Sequence, residues 1–174
     1  MKTIAIVQAR MGSTRFPNKV MQLVGNGIPM IEVLFSRLSR AKSIDQIVLA
    51  TSTNPNNDAL SEHMANLGYI VYRGSEDDVL DRYYKTAREQ KADVVVRITG
   101  DCPLIDPVLV DEVVTLYKKG NVDYSSNINP PTYPDGLDVE VFSFSSLEKS
   151  WKNATKSQHR EHVTLFIRDS TEFS

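Results

Sequence analysis

Short apolar runs alternate with amphipathic segments along the chain, and this alternation constrains the fold more than any other feature. Four runs have the length and composition of buried strands: Ile4–Val7, Gln46–Thr51, Tyr69–Tyr72 and Ala92–Ile98. Between the runs, apolar residues recur at helical spacing, as they do after Pro29. Strands that alternate with helices predict a three-layer α/β/α domain with a mainly parallel sheet, whose ligands bind above the carboxyl ends of the strands.

The last third of the chain carries weaker patterns. Asp106 and Pro107 have the order of a helix cap followed by the first helical residue. Two further strands and two further helices are predicted after that helix: strands at Val122–Ser125 and Leu137–Phe142, and helices at Phe144–Ala154 and Gln158–Ile167. These elements extend the same domain.

Length and composition exclude several classes of protein. A chain of 174 residues suits a single domain of residues 1–174, and a net charge of -2 with 24% charged residues favours neither disorder nor general binding to nucleic acid. A single cysteine, Cys102, excludes an internal disulfide and fits a reducing compartment. No apolar run approaches the roughly 20 residues that span a bilayer, so we expect a cytoplasmic protein with no membrane partner.

The loop after the first strand has the composition of a polyphosphate-binding loop. Fixed and titratable cations, hydroxyls, amides and a glycine follow Val7 within a dozen positions: Gln8, Arg10, Gly12, Ser13, Thr14, Arg15, Asn18 and Lys19. Its spacing is that of neither a P-loop nor a dinucleotide-binding glycine motif. From these residues alone, a solvated basic loop between a strand and a helix explains the pattern equally well.

Two later segments also place polar residues where strands end. Arg73, Gly74 and Ser75 follow the third strand, and the acidic residues after them are typical of a helix cap. Asp101 follows the fourth strand on a tight turn, with Gly100 before it and Pro103 after it. This aspartate is either a turn former or a ligand of Mg²⁺, which takes one or two protein carboxylates when it carries a nucleotide.

Two carboxylates near the end of the chain have the spacing of neighbours on one face of a strand. Asp138 and Glu140 are two residues apart, which indicates either a cation site or a solvent-facing edge strand. The proline-rich loop before them, with Tyr133, either forms part of a pocket or only connects two elements. His159 and His162 have no evident third ligand, so a solvated or interface pair is favoured over a metal site.

Three motifs in the expected order resemble one enzyme family. The pattern A-R-x-G-S-T-R-x-P-x-K after the first strand resembles the signature loop of the cytidylyltransferases that make CMP-activated acidic sugars, the CMP-KDO and CMP-acylneuraminate synthetases. Three longer segments resemble the spore-coat polysaccharide biosynthesis branch of that family: QARMGSTRFPNKV, RGSEDDVLDRYY and RITGDCPLIDP. The resemblance implies the nucleotide-diphospho-sugar transferase fold, which is Rossmann-like.

The resemblance also implies a reaction and a set of residues. CMP would pass from CTP to an acidic sugar with release of pyrophosphate, with Mg²⁺ as cofactor and a homodimer as one expectation. Arg10, Lys19 and Asp101 would be the catalytic residues. Ten residues would bind the nucleotide: Ala9, Arg10, Gly12, Ser13, Arg15, Lys19, Arg73, Gly74, Ser75 and Arg82. The metal would be held by Asp101, Asp138 and Glu140, and the sugar by Tyr133, Asp138 and Glu140.

Two other functions stay open at this point. A glycosyltransferase of related fold would use a nucleotide sugar as donor, and its usual mark is an Asp-x-Asp motif after a strand, where this chain has Gly-Asp-Cys-Pro. A non-catalytic nucleotide-binding homologue is the other alternative, because the resemblance implies a C-terminal segment with a further metal-binding aspartate that we do not find before Ser174.

Overall fold

The computed structural model describes residues 1–12 and 16–174, and a six-stranded sheet forms its centre. The described strands are β1 Thr3–Gln8, β2 Leu23–Val24, β3 Ile28–Pro29, β4 Gln46–Ser52, β5 Ile70–Gly74, β6 Val94–Thr99, β7 Tyr124–Ser126 and β8 Glu140–Ser143. The described α-helices are α1 Met30–Leu38, α2 Asp58–Asn66, α3 Val79–Glu89, α4 Pro107–Gly120, α5 Phe144–Asn153, α6 Ser157–Glu161 and α7 Leu165–Asp169. None of these helices is both long enough and apolar enough to cross a membrane.

The sheet has the strand order β5-β4-β1-β6-β8-β7 and is mainly parallel. β1 lies between β4 and β6 and pairs in parallel with both, and β5 pairs in parallel with β4. β8 is antiparallel to β6 and to β7, which makes the sheet mixed at one edge. The carboxyl ends of β1, β4, β5 and β6 therefore meet at one edge of the domain, where the predicted ligand loops begin.

Helices cover both faces of the sheet, which confirms the three-layer prediction. One core cluster joins α1, α2 and α4 to residues such as Val7, Leu49 and Val96. The second joins α3, α5 and α7 to Ile6 and Val95 on the opposite face. Adjacent residues of β1 and of β6 contribute to different clusters, as expected for central strands that are buried on both faces.

Several local predictions agree with the structure. Gly68 has a φ of 85°, the left-handed conformation that commonly ends a helix. The Asp106 carboxylate accepts a hydrogen bond from the backbone N–H of Val108 (2.8 Å) and caps α4. Asp78 caps α3 in the same way, because its carboxylate accepts from the N–H of Asp81 (2.9 Å).

The strand predicted at Val122–Ser125 lies at Tyr124–Ser126, and two other predicted elements differ more from the structure. The strand predicted at Leu137–Phe142 begins at Glu140, because the side chain of Asn127 bonds the backbone on both sides of Asp138, at Leu137 O and Val139 N (2.8 Å each). The helix predicted at Gln158–Ile167 is broken into α6 and α7 at His162, whose φ and ψ are -104° and 83°.

Candidate nucleotide-binding site

The loop after β1 is anchored at both ends. The N–H of Met11 donates to the side-chain oxygen of Asn57 (2.8 Å), and the N–H of Asn18 donates back to the carbonyl of Met11 (3.1 Å). Ala9 is buried at the end of β1, whereas Gly12 is exposed. Ser13 and Arg15, both predicted to bind the nucleotide, lie outside the described residues together with Thr14, so their roles stay predictions.

Both described cations of this loop are paired with carboxylates from other elements. Arg10 contacts Glu76, with 3.3 Å between Nη1 and Oε1, and Lys19 contacts Asp101, with 3.0 Å between Nζ and Oδ2. Glu76 also accepts a hydrogen bond from the hydroxyl of Ser52. Glu76 is therefore a partner of the loop and does not cap α3, a role taken by Asp78.

Gly100 brings Asp101 against the loop that follows β1. The N–H of Gly100 donates to the carbonyl of Gln8 (2.8 Å). A Cβ at this position would lie 2.7 Å from the Cβ of Ala9 and 2.8 Å from that carbonyl oxygen, closer than real contacts allow. Only glycine fits at this position without a shift of the backbone. Steric exclusion of a Cβ therefore explains why a glycine precedes Asp101.

Asp101 is half exposed and sits next to a cation. Burial by itself would raise the pKa of its carboxyl group, but hydrogen bonds from Lys19 and Thr99 and the charge of Lys19 hold this pKa below its usual range. Asp101 is therefore a carboxylate at neutral pH, which is the form that a divalent cation requires.

The residues predicted around β5 separate into two groups. Arg73 forms an ion pair with Asp58 (2.6 Å) and donates to the carbonyls of Ser52 and Asn54 (3.1 Å each), so its surroundings indicate a role in joining β5 to the 54–58 segment. Arg82, on α3, is 2% exposed and contacts the segment that follows β5.

Arg82 holds the loop that follows β5. It donates from Nη1 to the carbonyl of Ser75 (2.6 Å). Gly74 lies against it, since a Cβ there would be 3.2 Å from Cγ of Arg82. Ser75 itself accepts a hydrogen bond on its hydroxyl from the N–H of Asp78 (3.0 Å). Of Arg73, Gly74, Ser75 and Arg82, the four predicted nucleotide contacts in this region, Arg82 lines the cavity above the carboxyl ends of β1 and β6.

Glu140 is buried among donors rather than open to a ligand. Its carboxylate is paired with Arg97 and accepts hydrogen bonds from the hydroxyls of Tyr124 (2.7 Å) and Thr164 (2.6 Å), and the residue is 1% exposed. Burial alone would raise the pKa of Glu140, but Arg97 and the two hydroxyls lower it. These contacts favour a structural role over the metal and sugar roles predicted for Glu140 from its spacing.

Asp138 and Tyr133 have different surroundings from Glu140. No described residue donates a hydrogen bond to the Asp138 carboxylate, and its pKa is raised by burial and by the negative charges of Asp135, Glu140 and Asp101. Tyr133 is 47% exposed on the 127–137 segment. Across residues 1–12 and 16–174, no group of three or more histidine, cysteine, aspartate or glutamate side chains forms a ready metal cluster. Asp101 and Asp138 nevertheless supply the hard oxygen ligands that Mg²⁺ prefers.

The cavity at this edge of the sheet brings many of these residues together. It has a volume of about 270 Å³ and lies between β1, β6, α3 and α6. Its lining contains Gln8, Ala9, Arg10, Lys19, Val20, Val79, Arg82, Arg97, Thr99, Gly100, Asp101, Glu161 and His162. The predicted site residues that the structure describes outside this lining are Gly12, Arg73, Gly74, Ser75, Tyr133, Asp138 and Glu140.

Three titratable residues of the lining, Arg97, Glu161 and His162, were not assigned to the site from the sequence. Arg97 is the clearest of them, and its signal is a single cation inside the otherwise apolar run of β6. Glu161 and His162 line the cavity at the point where helix α6 ends. His159 turns away and contacts Asp169 (3.2 Å), so the two histidines do not form a pair.

The sequence matches the cytidylyltransferase family over residues 4–173, nearly the whole chain. This chain therefore belongs to the cytidylyltransferase family. It is 45% identical to an uncharacterised protein of Methanocaldococcus jannaschii over 98% of this chain and 68% of that protein. It is 38% identical to the spore coat polysaccharide biosynthesis protein SpsF of Bacillus subtilis over 94% of this chain and 69% of that protein. It is 33% identical to the 3-deoxy-manno-octulosonate cytidylyltransferase of Geobacter sulfurreducens over 66% of this chain and 44% of that enzyme.

Solved structures agree with this assignment. A cytidylyltransferase from Leptospira borgpetersenii superposes with a TM-score of 0.92 at 34% identity, over 99% of this chain and 73% of that one. A CMP-2-keto-3-deoxy-manno-octonic acid synthetase complexed with CTP superposes with a TM-score of 0.73 at 16% identity, over 97% of this chain and 86% of that one. The second likeness concerns the fold alone. The family and fold suggested by the three sequence motifs are confirmed.

Proposed function

We propose that this protein transfers CMP from CTP to a hydroxyl group of an acidic sugar and releases pyrophosphate. The observation that carries the proposal is the convergence of Arg10, Lys19 and Asp101 on one cavity at the carboxyl ends of β1 and β6. Membership of the cytidylyltransferase family supports CTP as the nucleotide. The named activity of the Geobacter sulfurreducens relative supports a sugar acid as the acceptor. The reaction would take place in the cytoplasm, where CTP is available.

Binding and alignment account for the chemistry in this proposal. The hydroxyl oxygen of the sugar attacks the α-phosphorus of CTP and loses its proton to water, a new P–O bond forms, and the bond to pyrophosphate breaks. Arg10 holds phosphate oxygens through a planar pair of donors, and Lys19 provides a compact point charge. No covalent intermediate with the protein is needed, because orientation and fixed charges supply most of the acceleration.

The residues present fit a magnesium ion. Asp101 would hold it, since this carboxylate is ionised and half exposed. Asp138 would be the second protein ligand, because no described residue donates a hydrogen bond to its carboxylate and the charge of Asp101 acts on it. When bound, Mg²⁺ would offset negative charge on the phosphate oxygens. Lys19, which contacts Asp101 in the structure, would then be released to the triphosphate.

Product analysis tests the proposal. The protein is incubated with CTP, Mg²⁺ and one sugar acid at a time, first 3-deoxy-manno-octulosonate and then an acylneuraminate, and CMP-sugar and pyrophosphate are measured. Asp101→Ala is expected to lose turnover while its melting temperature falls by no more than about 4 °C, since a partly exposed ion pair contributes about 0–1 kcal/mol. Asp77→Ala, at an exposed aspartate outside the cavity, is expected to retain turnover. Normal turnover of Asp101→Ala at the usual Mg²⁺ requirement contradicts the assigned role. Absence of any CMP-sugar with the wild-type protein contradicts the function.

A further inference from the structure

Arg97 is a buried cation whose position needs explanation. It lies near the carboxyl end of β6, with only 15% of its side chain exposed, yet it forms part of the cavity lining. Burying a guanidinium group is costly unless it is paired and hydrogen-bonded. An apolar residue at this position would avoid that cost, as Val95 does two residues earlier on the same face of the strand.

Glu140 fixes Arg97 in place. The two residues are directly opposite each other across β6 and β8, and Nη1 of Arg97 donates to the Glu140 carboxylate. Burial alone would lower the pKa of Arg97, but Glu140 raises it above its usual value. Tyr124 and Thr164 occupy the other carboxylate oxygen. Glu140 is therefore a positioning residue for the guanidinium group of Arg97.

Arg97 keeps donors that no described residue uses. Arginine has five N–H donors, and within the described part of the chain Arg97 uses Nη1 alone, which donates to Glu140. Its Nε is buried and has no acceptor among those residues. An arginine held by one carboxylate, with donors to spare and a side facing a cavity, has the properties of an anion-binding group.

The other cations around the cavity have different roles. Arg10 and Lys19 lie on the loop proposed for the triphosphate, and Arg82 donates to the carbonyls of Ser75 and Glu76, which fixes the loop after β5. Arg97 lies on β6, whereas the loop proposed for the triphosphate follows β1. A substrate with a second anionic group separate from its phosphates would account for it.

We infer that Arg97, held in position by Glu140, binds the carboxylate of the acidic sugar and makes the site selective for sugar acids over neutral sugars. This inference rests on the proposed function and adds the group that recognises the acceptor. The carboxylate would accept hydrogen bonds from the guanidinium group inside the cavity, where exclusion of water strengthens charge-assisted bonds.

The test compares a sugar acid with its neutral analogue. Calorimetry measures the binding of 3-deoxy-manno-octulosonate and of its carboxamide to the protein with Mg²⁺ and a non-hydrolysable CTP analogue. The wild-type protein is expected to bind the acid at least tenfold more tightly than the amide. Arg97→Met alone would leave Glu140 buried without its cation, so the variant to use is Arg97→Met with Glu140→Gln, checked by thermal melting. Arg40→Met, at an exposed arginine outside the cavity, is the matched control.

The preference for the acid is expected to disappear in the double variant and to persist in the Arg40 control, with affinity for the CTP analogue unchanged within about twofold. A preference that persists in the double variant overturns the inference. So does a loss of CTP-analogue affinity equal to the loss of sugar affinity, since Arg97 would then serve the nucleotide. Failure of the proposed function is seen separately, in a wild-type protein that binds the CTP analogue but neither the acid nor the amide, and it removes the inference as well.

Discussion

Removal of the Glu140 side chain is expected to destabilise the fold far more than removal of an exposed glutamate. Glu140→Ala leaves Arg97 as an unpaired charge that is 15% exposed, and it deprives the hydroxyls of Tyr124 and Thr164 of their acceptor. Breaking a buried ion pair by removing one partner costs about 3–5 kcal/mol. A chain of this length loses roughly 2–4 °C of melting temperature per kcal/mol, so the melting temperature should fall by about 6–20 °C.

Urea denaturation followed by circular dichroism measures this loss, with three comparisons. Glu112→Ala, at an exposed position of α4, is expected to change the free energy of unfolding by less than about 0.5 kcal/mol. Glu140→Gln retains an acceptor for the hydroxyls and should lose less than Glu140→Ala. The double variant Arg97→Met with Glu140→Gln removes both charges and should recover much of the loss. If Glu140→Ala were no less stable than Glu112→Ala, the buried pair would not have the structural role assigned to it.

Three further predictions concern the loop after β1 and the turn after β6. Lys19→Ala should weaken CTP binding by roughly 1.5–3 kcal/mol if the lysine bonds a phosphate, and unchanged affinity in a calorimetric titration would assign the lysine to Asp101 alone. Gly100→Ala should lose about 1–3 kcal/mol of stability by overpacking, whereas Gly12→Ala, whose Cβ would have its nearest neighbour at 3.7 Å, should not; equal stability of the two variants refutes the steric argument. Because the folded-state pKa of Asp101 is lowered, its contribution to stability is present above the unfolded value of 3.8 and lost as pH falls through the folded value. Asp101→Asn should therefore reduce the loss of unfolding free energy as pH falls below 3.8. An unchanged dependence of this free energy on acidic pH contradicts the pairing of Asp101 with Lys19.

Local sequence patterns are sufficient for the elements whose causes are local. The apolar runs mark β1, β4 and β6 because a strand buried on both faces needs apolar side chains on both. Gly68 and Asp106 were identifiable because a left-handed helix end and a helix cap each depend on one residue and its immediate neighbours. The loop after β1 was recognisable by its composition, and the structure places Arg10 and Lys19 from it at the cavity.

Contacts between residues far apart in the sequence could not be predicted from local patterns. Arg97 and Glu140 are 43 positions apart in the sequence. They meet because β8 pairs with β6 in the antiparallel direction, and no local sequence pattern predicts that pairing. The spacing of Asp138 and Glu140 predicted either a cation site or a solvent-facing edge strand, and it could not show that a cation of the protein itself, Arg97, faces Glu140. Arg73 was assigned by its place at a strand end, and a strand end does not show that its side chain pairs with Asp58, 15 positions earlier in the sequence.

The pairing of the loop cations with carboxylates bears on how the site would bind a nucleotide. In the structure Lys19 contacts Asp101 and Arg10 contacts Glu76, with side chains that are 29–52% exposed. Exposed ion pairs of this kind contribute only about 0–1 kcal/mol each, whereas hydrogen bonds to charged groups contribute roughly 1.5–3 kcal/mol. Exchanging the carboxylate partners for phosphate oxygens of the proposed substrate would therefore be favourable for both cations. Each exchange also frees a carboxylate, and at Asp101 the carboxylate freed by Lys19 is the one assigned to Mg²⁺. The nucleotide and the metal would thus favour each other's binding through the partners that they exchange.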